Sequence, residues 1–435
     1  IYSSGTLRVS NTLISGGHHD VGGAIYQAGG SVVLTGVHLT GNEAGLNGGA
    51  VYTGGNSSSL TILNSTIEDN TSLYDGAGVF MLGRPGQSFR LEDSTVANNV
   101  SRLSNGSVVG FGGGVRLYND GSTMKAAVIQ NVTFSGNSSF RGGSGLGIDD
   151  SWSADLTNVT FVDNSLLFRP FPIQQLFATL RNVVASGTRA TVGGSYISGG
   201  GNFIEDGTGL IGIVDSVNGD HVGTSGSPLD AQLSGLQWVA GTDGQVLTHV
   251  PLAGSPLIDT GSAIATPYAD QRGVLRPVDG DASAPAIIDI GAIERGTVEI
   301  TGFATVSGNV FTDQNANGVR DAGEYGLANV QVFVDLNGDG LWSSGEPTVQ
   351  TGDDDVSTSG NDETGNWSLI LPAGDVDVVV SPQADFVASS PTSASIAVTV
   401  PVSGTVSAVH FGLAHIPVLS VGDVTVVEGA SGTVQ

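Results

Sequence analysis

The sequence predicts an all-β protein: a right-handed parallel β-helix, then a small calcium-binding β-sandwich, then the first strand of a further, truncated β-sandwich. Three observations lead there. Short apolar runs separated by Gly/Asn turns recur through the first 190 residues, two acidic twelve-residue loops lie between strand-like runs further on, and helical periodicity is missing from both regions.

The repeat is clearest at Gly48-Gly49-Ala50-Val51-Tyr52, followed by Leu60-Thr61-Ile62, Asn64-Ser65-Thr66-Ile67 and Asn70. Its first piece returns at Gly22-Gly23-Ala24-Ile25-Tyr26 and Gly76-Ala77-Gly78-Val79-Phe80, and more weakly at Gly113-Gly114-Val115 and Gly143-Ser144-Gly145-Leu146. The turn residue of the second piece returns at Asn11, Gly36, Asn64, Asp93, Asn131, Asn158 and Asn182, and a later asparagine at Asn42, Asn70, Asn99, Asn137 and Asn164. Each coil is expected to carry three short strands, for example Ala50–Thr53, Ser59–Leu63 and Thr66–Glu68. Strand alternation then sends Val51, Leu60, Ile62 and Ile67 inward. Asparagine suits the bends because it tolerates the left-handed backbone, and stacked amides bond from coil to coil. Asn64, Asn131 and Asn158 also fit the glycosylation sequon, but the ladder accounts for them more simply.

Composition narrows the function classes. The 435 residues exceed one ordinary domain, and 41 acidic against 14 basic residues give a formal charge of −27. Such a surface repels phosphate backbones and anionic lipid, which argues against nucleic-acid partners, and invites divalent cations. With no cysteine there is no disulfide or thiol chemistry. No apolar run is long enough to span a bilayer. The chain opens in a strand-like run, Ile1-Tyr2 then Leu7-Arg8-Val9, and is expected to be a fragment of a longer exported protein.

The glycine–aliphatic pieces paired with Phe134-Ser135-Gly136-Asn137 and Phe161-Val162-Asp163-Asn164 resemble repeats of the polymorphic outer-membrane protein type, over residues 1–190. From 191 to 296 the repeat fades into Gly199-Gly200-Gly201-Asn202, Gly226-Ser227-Pro228-Leu229-Asp230, Gly254-Ser255-Pro256-Leu257-Ile258-Asp259, Asp270-Gln271-Arg272-Gly273, Arg276-Pro277 and Ile288-Asp289-Ile290-Gly291. That succession resembles the choice-of-anchor Q region which closes bacterial β-helix surface proteins. The resemblance implies an extracellular or cell-surface location. Asp259, Asp270, Arg272, Arg276 and Asp289 read as ion pairs and turn acids of that region.

Residues 302–415 hold many acids and only one Lys or Arg, Arg320. Runs such as Val330–Val334, Ser368–Leu371 and Val376–Val380 indicate a small β-sandwich. Between them lie two loops with calcium-ligand spacing. The first offers Asp313, Asn315, Asn317, the Val319 carbonyl, Asp321 and Glu324, with Gly318 at the sharp turn. The second offers Asp335, Asn337, Asp339, the Leu341 carbonyl, Ser343 and Glu346, with Gly340 at the turn. A hard cation takes six to eight oxygens, and this spacing wraps them around it. Val310-Phe311, Gly326-Leu327-Ala328 and Gly365-Asn366-Trp367 around these loops resemble the calcium-binding B repeats of serine-aspartate surface adhesins, which implies a structural calcium role and an immunoglobulin- or prealbumin-like sandwich. Residues 416–435, with Leu419-Ser420-Val421-Gly422-Asp423-Val424-Thr425-Val426, resemble the opening strand of a Calx-β domain.

Two further candidates lie on the β-helix. Tyr26, Tyr52 and Phe80, one per coil, form a column that either carries sugar rings or stabilises parallel strands by stacking. Aligning Val79, Val115 and Leu146 brings Arg84, Asp120, Asp149 and Asp150 onto neighbouring coils near Trp152, the residue types that polysaccharide cleavage requires. No motif of the β-helix pectinases accompanies them. His18 and His19 fall on opposite faces of an extended chain and make a poor metal pair. The leading reading is therefore a non-catalytic adhesin or presentation protein that uses calcium and meets extracellular polysaccharide or a host or neighbour surface. A polysaccharide lyase or glycoside hydrolase is the alternative, and a plain stalk comes third.

Overall fold

The computed structural model describes residues 1–54, 59–101, 110–119, 124–140, 142–149, 151–164, 177–187, 194–241, 244–264, 266–282, 285–296, 303–335, 338, 340–342, 346–354, 362–401 and 404–416. Among these there is no helix; the protein is all-β. It divides into two compact units, the first holding Ile1–Ala304 and the second most of the chain from Thr305 onward.

The first unit is a parallel β-solenoid. One sheet stacks Tyr2–Ser3, Ile25–Gln27, Val51–Thr53, Val79–Gly83, Val115–Asn119 and Leu146–Ile148. A second, larger sheet carries two rows, exemplified by Ser59–Leu63 and Thr66–Glu68, which fuse in the long strands Lys125–Ser135 and Trp152–Val162. The sequence alignment of Val79, Val115 and Leu146 is the observed register. A fourth row, His18–His19, Glu43–Ala44, Thr71–Ser72 and Val100–Ser101, adds a small sheet that the sequence reading did not include. Its strands are two residues long and mostly polar, so they lack the apolar alternation that reveals a strand.

The inward positions are the expected ones. Val51, Leu60, Ile62 and Ile67 are wholly buried, and their equivalents in neighbouring coils join them in one continuous core with Leu34, Val79, Phe89, Ile129, Phe134 and Phe161. Each such side chain stabilises the stack by about 1.5–3 kcal/mol relative to its exposed state. The bends are also where the sequence puts them. Asn11, Asn64, Asp93, Asn131, Asn158 and Asn182 have φ of 47°, 48°, 47°, 51°, 54° and 50°, and Gly36 has 62°. A second series, Gly41, Asp69, Asn98, Gly136 and Asp163, is left-handed too and precedes the ladder asparagines. Along that ladder the Nδ2 of Asn42, Asn70, Asn99 and Asn137 donates to Oδ1 of the next asparagine at 2.9, 2.9, 3.0 and 3.0 Å.

The stack continues in parallel through Phe177–Arg181, Val184–Ser186, Phe203–Ile204 and His221–Val222, and the segment from Gln237 then folds back along the solenoid. Gln237–Gly241 and Gly244–Thr248 form an antiparallel hairpin. Beyond it, Gln271 Nε2 donates to Thr95 Oγ1 at 2.7 Å, while Thr133 Oγ1 donates to Gln271 Oε1 at 2.6 Å. The Ala292 N–H donates to Thr160 Oγ1 at 2.9 Å, and the Gly291 N–H to Asn182 O at 3.0 Å. Outward-facing threonines of one row are thereby covered by a buried polar seam.

The second unit contains two sheets. Phe303–Thr312 lies between Asn366–Pro372 and Phe411–His415, and Phe386–Ser390 follows at the edge. In the other, Gln331–Asp335 lies between Thr348–Gln350 and Gly374–Ser381, with Ser395–Val400 beyond. Val306, Val310, Phe311, Val330, Val332, Phe333, Trp367, Val378, Val380 and Phe411 are buried.

Candidate functional site

The aromatic column is longer than its sequence signature. Tyr2, Tyr26, Tyr52, Phe80 and Tyr118 follow one another with ring-centroid separations of 5.3, 5.4, 5.2 and 6.0 Å, and Tyr52 lies 4° from parallel with Phe80. Exposure is uneven: Tyr2 is 67% exposed, Tyr26 and Tyr52 are half-buried, and Phe80 is only 4% exposed. The register gives the cause. Phe80 pairs with Arg116, so a guanidinium stands where the next ring is due, and Tyr118 reaches back from two residues further on.

Arg116 is the centre of a buried charged cluster beside the column. Its guanidinium meets Asp149 at 2.7 Å and Asp75 at 3.8 Å, and its Cζ stands 5.2 Å from the Phe111 ring centroid and 5.5 Å from that of Tyr118. Asp75 Oδ1 also accepts the Phe111 N–H at 2.8 Å. The sequence reading had Asp149 but missed Arg116 and Asp75. Arg116 was detectable, since it directly follows the aligned Val115. Arg84 donates its backbone N–H to Gln87 Oε1 at 2.6 Å. Asp120 and Asp150 lie outside the described residues. Trp152 is a core residue whose Nε1 donates to Tyr118 O at 3.3 Å, and Lys125 Nζ stands 5.9 Å from its ring centroid. His18 and His19 take separate partners, Glu43 at 3.7 Å and the Val21 carbonyl at 2.8 Å.

In the first acidic loop, buried Asp313 accepts the N–H groups of Asn317 and Gly318 at 3.1 and 3.0 Å and the Ser389 hydroxyl at 2.9 Å. Glu324 closes the loop by accepting the N–H groups of Gln314 and Asp321, both at 2.8 Å. Asn315 and Asn317 each donate Nδ2 to Asp321 Oδ2 at 2.8 Å. Gly318 has φ 76°, the left-handed turn its position demands. Val319, whose carbonyl the spacing assigns to the seventh loop position, is exposed. The donor set therefore fits a hard cation: carboxylates at both ends of the loop, and two amides whose half-turn would present oxygen in place of nitrogen. In the second loop Asp335 accepts the N–H groups of Gly338 and Gly340, both at 2.7 Å; Leu341 is exposed and Glu346 is buried. Asn337, Asp339 and Ser343 lie outside the described residues, as do residues 417–435, where the opening strand of a Calx-β domain was expected.

A cluster that the sequence reading did not assemble is in the first unit. The carboxylates of Asp259, Asp279 and Asp281 offer oxygens that all lie within 4.8 Å of one another. Asp259 accepts the N–H groups of Gly280, Asp281 and Ile287 at 2.9, 3.1 and 3.1 Å. The remaining acids and arginines of this region are buried together. Arg272 pairs with Asp270 at 2.7 Å and Arg276 with Glu294 at 2.9 Å. Burial, reinforced by the Glu294 charge, pushes the Asp289 carboxyl up to about 8. Burial likewise raises Glu294, with Arg276 pulling the other way.

No helix among the described residues is long and apolar enough to cross a membrane. No family model matches the chain, and no curated protein matches it.

Proposed function

We propose that the protein is a non-catalytic, secreted or cell-surface adhesin or presentation protein. Its solenoid displays a ligand-meeting face, its closing region belongs to the choice-of-anchor Q type, and a β-sandwich spacer stiffened by calcium at Asp313–Glu324 and Asp335–Glu346 leads to a Calx-β module. The supporting observation is the Asp75–Arg116–Asp149 cluster. Acid/base cleavage of a polysaccharide needs a carboxyl group poised to gain or lose a proton. Here the carboxylates beside the aromatic column meet a buried guanidinium at 2.7 and 3.8 Å, while Tyr2 and Tyr118 of the column are exposed and Tyr26 and Tyr52 half-buried. The sequence resemblances to exported repeats and to adhesin B repeats support the same reading, and extracellular polysaccharide or a neighbouring cell surface is the partner it implies.

The test is to incubate the full chain with a panel of extracellular polysaccharides and follow binding and chain cleavage together. Binding without cleavage is expected, weakened by the pair Tyr26→Ala and Tyr52→Ala. New reducing ends or unsaturated uronic acids that disappear with Asp149→Asn would overturn the reading in favour of a lyase or hydrolase.

A further inference from the structure

The second unit contains a pocket of about 590 Å³ that neither the calcium loops nor the aromatic column uses. It is lined from strand Phe303–Thr312 by Ser307, Gly308 and Asn309, from Asn366–Pro372 by Trp367, and from the connection before Phe411 by Ser407, Ala408 and His410, with exposed Gln350 and Ser368 at its rim. We propose that this pocket binds a neutral glycosyl unit.

Three independent features support it. First, among the described residues Trp367 Nε1 and Asn309 Oδ1 have no hydrogen-bond partner, although Trp367 is 4% and Asn309 8% exposed. A buried donor and a buried acceptor left unpaired are costly and uncommon. A sugar hydroxyl both donates and accepts, the chemistry that the two unpaired atoms call for. Second, the backbone is shaped for the opening. The strand pairing shifts from an offset of 100 residues (Thr305 with Thr405) to 101 (Val310 with Phe411), so the connection Ser407–His410 holds a bulge. Ala408 within it is left-handed at φ 68°. Bulges of this kind re-aim side chains beside functional sites. Gly308 completes the wall, since a Cβ there would run into Val409 O and crowd Trp367 Cζ2 at 3.1 Å. Third, among the described residues no Asp, Glu, Lys or Arg lines the pocket, in a chain of net charge −27.

A peptide strand is disfavoured as the occupant. At this corner Gly352 N–H donates to Asn366 O at 2.8 Å and Gly365 N–H to Gly352 O at 2.9 Å, which takes up backbone groups that strand addition would use. Side chains remain to do the recognising. They are of the neutral, hydrogen-bonding kind, beside an indole that supplies apolar contact.

The experiment is saturation-transfer NMR and tryptophan fluorescence on the full chain with neutral hexasaccharides of glucose, mannose and xylose, and with oligogalacturonate as the charged control. At least one neutral probe is expected to bind. Its affinity should fall at least about tenfold in Trp367→Phe, which keeps the ring but removes the donor. Gln350→Glu at the exposed rim should weaken it similarly while leaving thermal melting unchanged. The Tyr26→Ala, Tyr52→Ala pair should leave it intact, which separates this site from the solenoid column. No neutral probe bound at millimolar concentration, tighter binding of the uronide, or affinity indifferent to both pocket variants would overturn the proposal.

Discussion

Asp69 and Asn70 are adjacent, both occupy a bend, and do opposite kinds of work. Asp69 is exposed and matters for its backbone, at φ 56°. Asn70 is wholly buried: its Oδ1 accepts the N–H and Nδ2 of Asn42, both at 2.9 Å, and its Nδ2 donates to Leu39 O at 3.0 Å as well as to Asn99. Replacing Asp69 by glycine relieves the left-handed strain and should leave unfolding by urea unchanged or shifted slightly upward. Asn70→Ala orphans buried groups in two neighbouring coils and should cost about 3 kcal/mol in the same measurement. Asn70 was legible in sequence, because asparagine recurs there whatever the intervening chain does. Asp69 was not, since its series runs Gly41, Asp69, Asn98, Gly136 and Asp163 and shares only a left-handed backbone.

At the level of elements, the closing segment is held by groups whose protonation differs between folded and unfolded chain. Asp289 faces Glu294 and Arg276 and accepts the backbone N–H groups of Asp259 and Arg295; its folded value of about 8 lies above the model-peptide value of 3.8. A raised carboxyl contributes stability that is full below the unfolded value and is lost as pH rises through the folded one. His249, bonded to Ser135 Oγ and Ser234 O at 2.9 and 2.8 Å, is shifted the other way by burial, against the pull of the Ser234 carbonyl and the Asp163 charge. It contributes full stability above 6.5 and loses it on acidification. Between 6.5 and about 8 the His249 contribution is constant, and the loss comes from the buried Asp289 and Glu294 carboxyls, both raised by burial. The melting temperature should therefore fall across that interval, and Asp289→Asn should flatten the slope. The loops of the second unit provide a separate handle. Calcium should raise the melting temperature of the full chain and a chelator reverse it, and calorimetry should count one ion fewer in Glu324→Gln. If these loops bind calcium as proposed, binding and folding are linked. An unchanged ion count in that variant would remove Asp313–Glu324 from the sites.

Across the whole chain, legibility follows sequence separation. The solenoid register was readable because each strand pairs with the equivalent residues of the next repeat. The seam that covers its threonine row was not. Gln271 to Thr95 and Ala292 to Thr160 are bonds between segments with no common pattern, and nothing local marks Thr95 as different from Thr66. The Arg116 cluster lies between these cases: its register was readable and its partners were not. The repeat also predicts which deletions the chain tolerates. Glu43 and Thr71 are register partners, as are Asn42 and Asn70 in the ladder. Excising residues 43–70 thus joins Asn42 to Thr71 with every inward residue still inward, and a soluble protein with a cooperative melt is expected. Excising 43–60 instead joins unlike positions and should give an insoluble or unfolded chain.

The ladder also bears on how such a chain changes over generations. Asn70 and Asn99 are closer in sequence than Asn99 and Asn137, yet the amide contacts are 2.9 and 3.0 Å. The joint is indifferent to the length of chain spent between joints. Unequal crossing-over between two repeats would therefore yield a stack one coil longer or shorter with intact junctions, while insertions accumulate in the excursions between them. Copy number and excursion length become heritable variables that selection can adjust separately, without reopening the core.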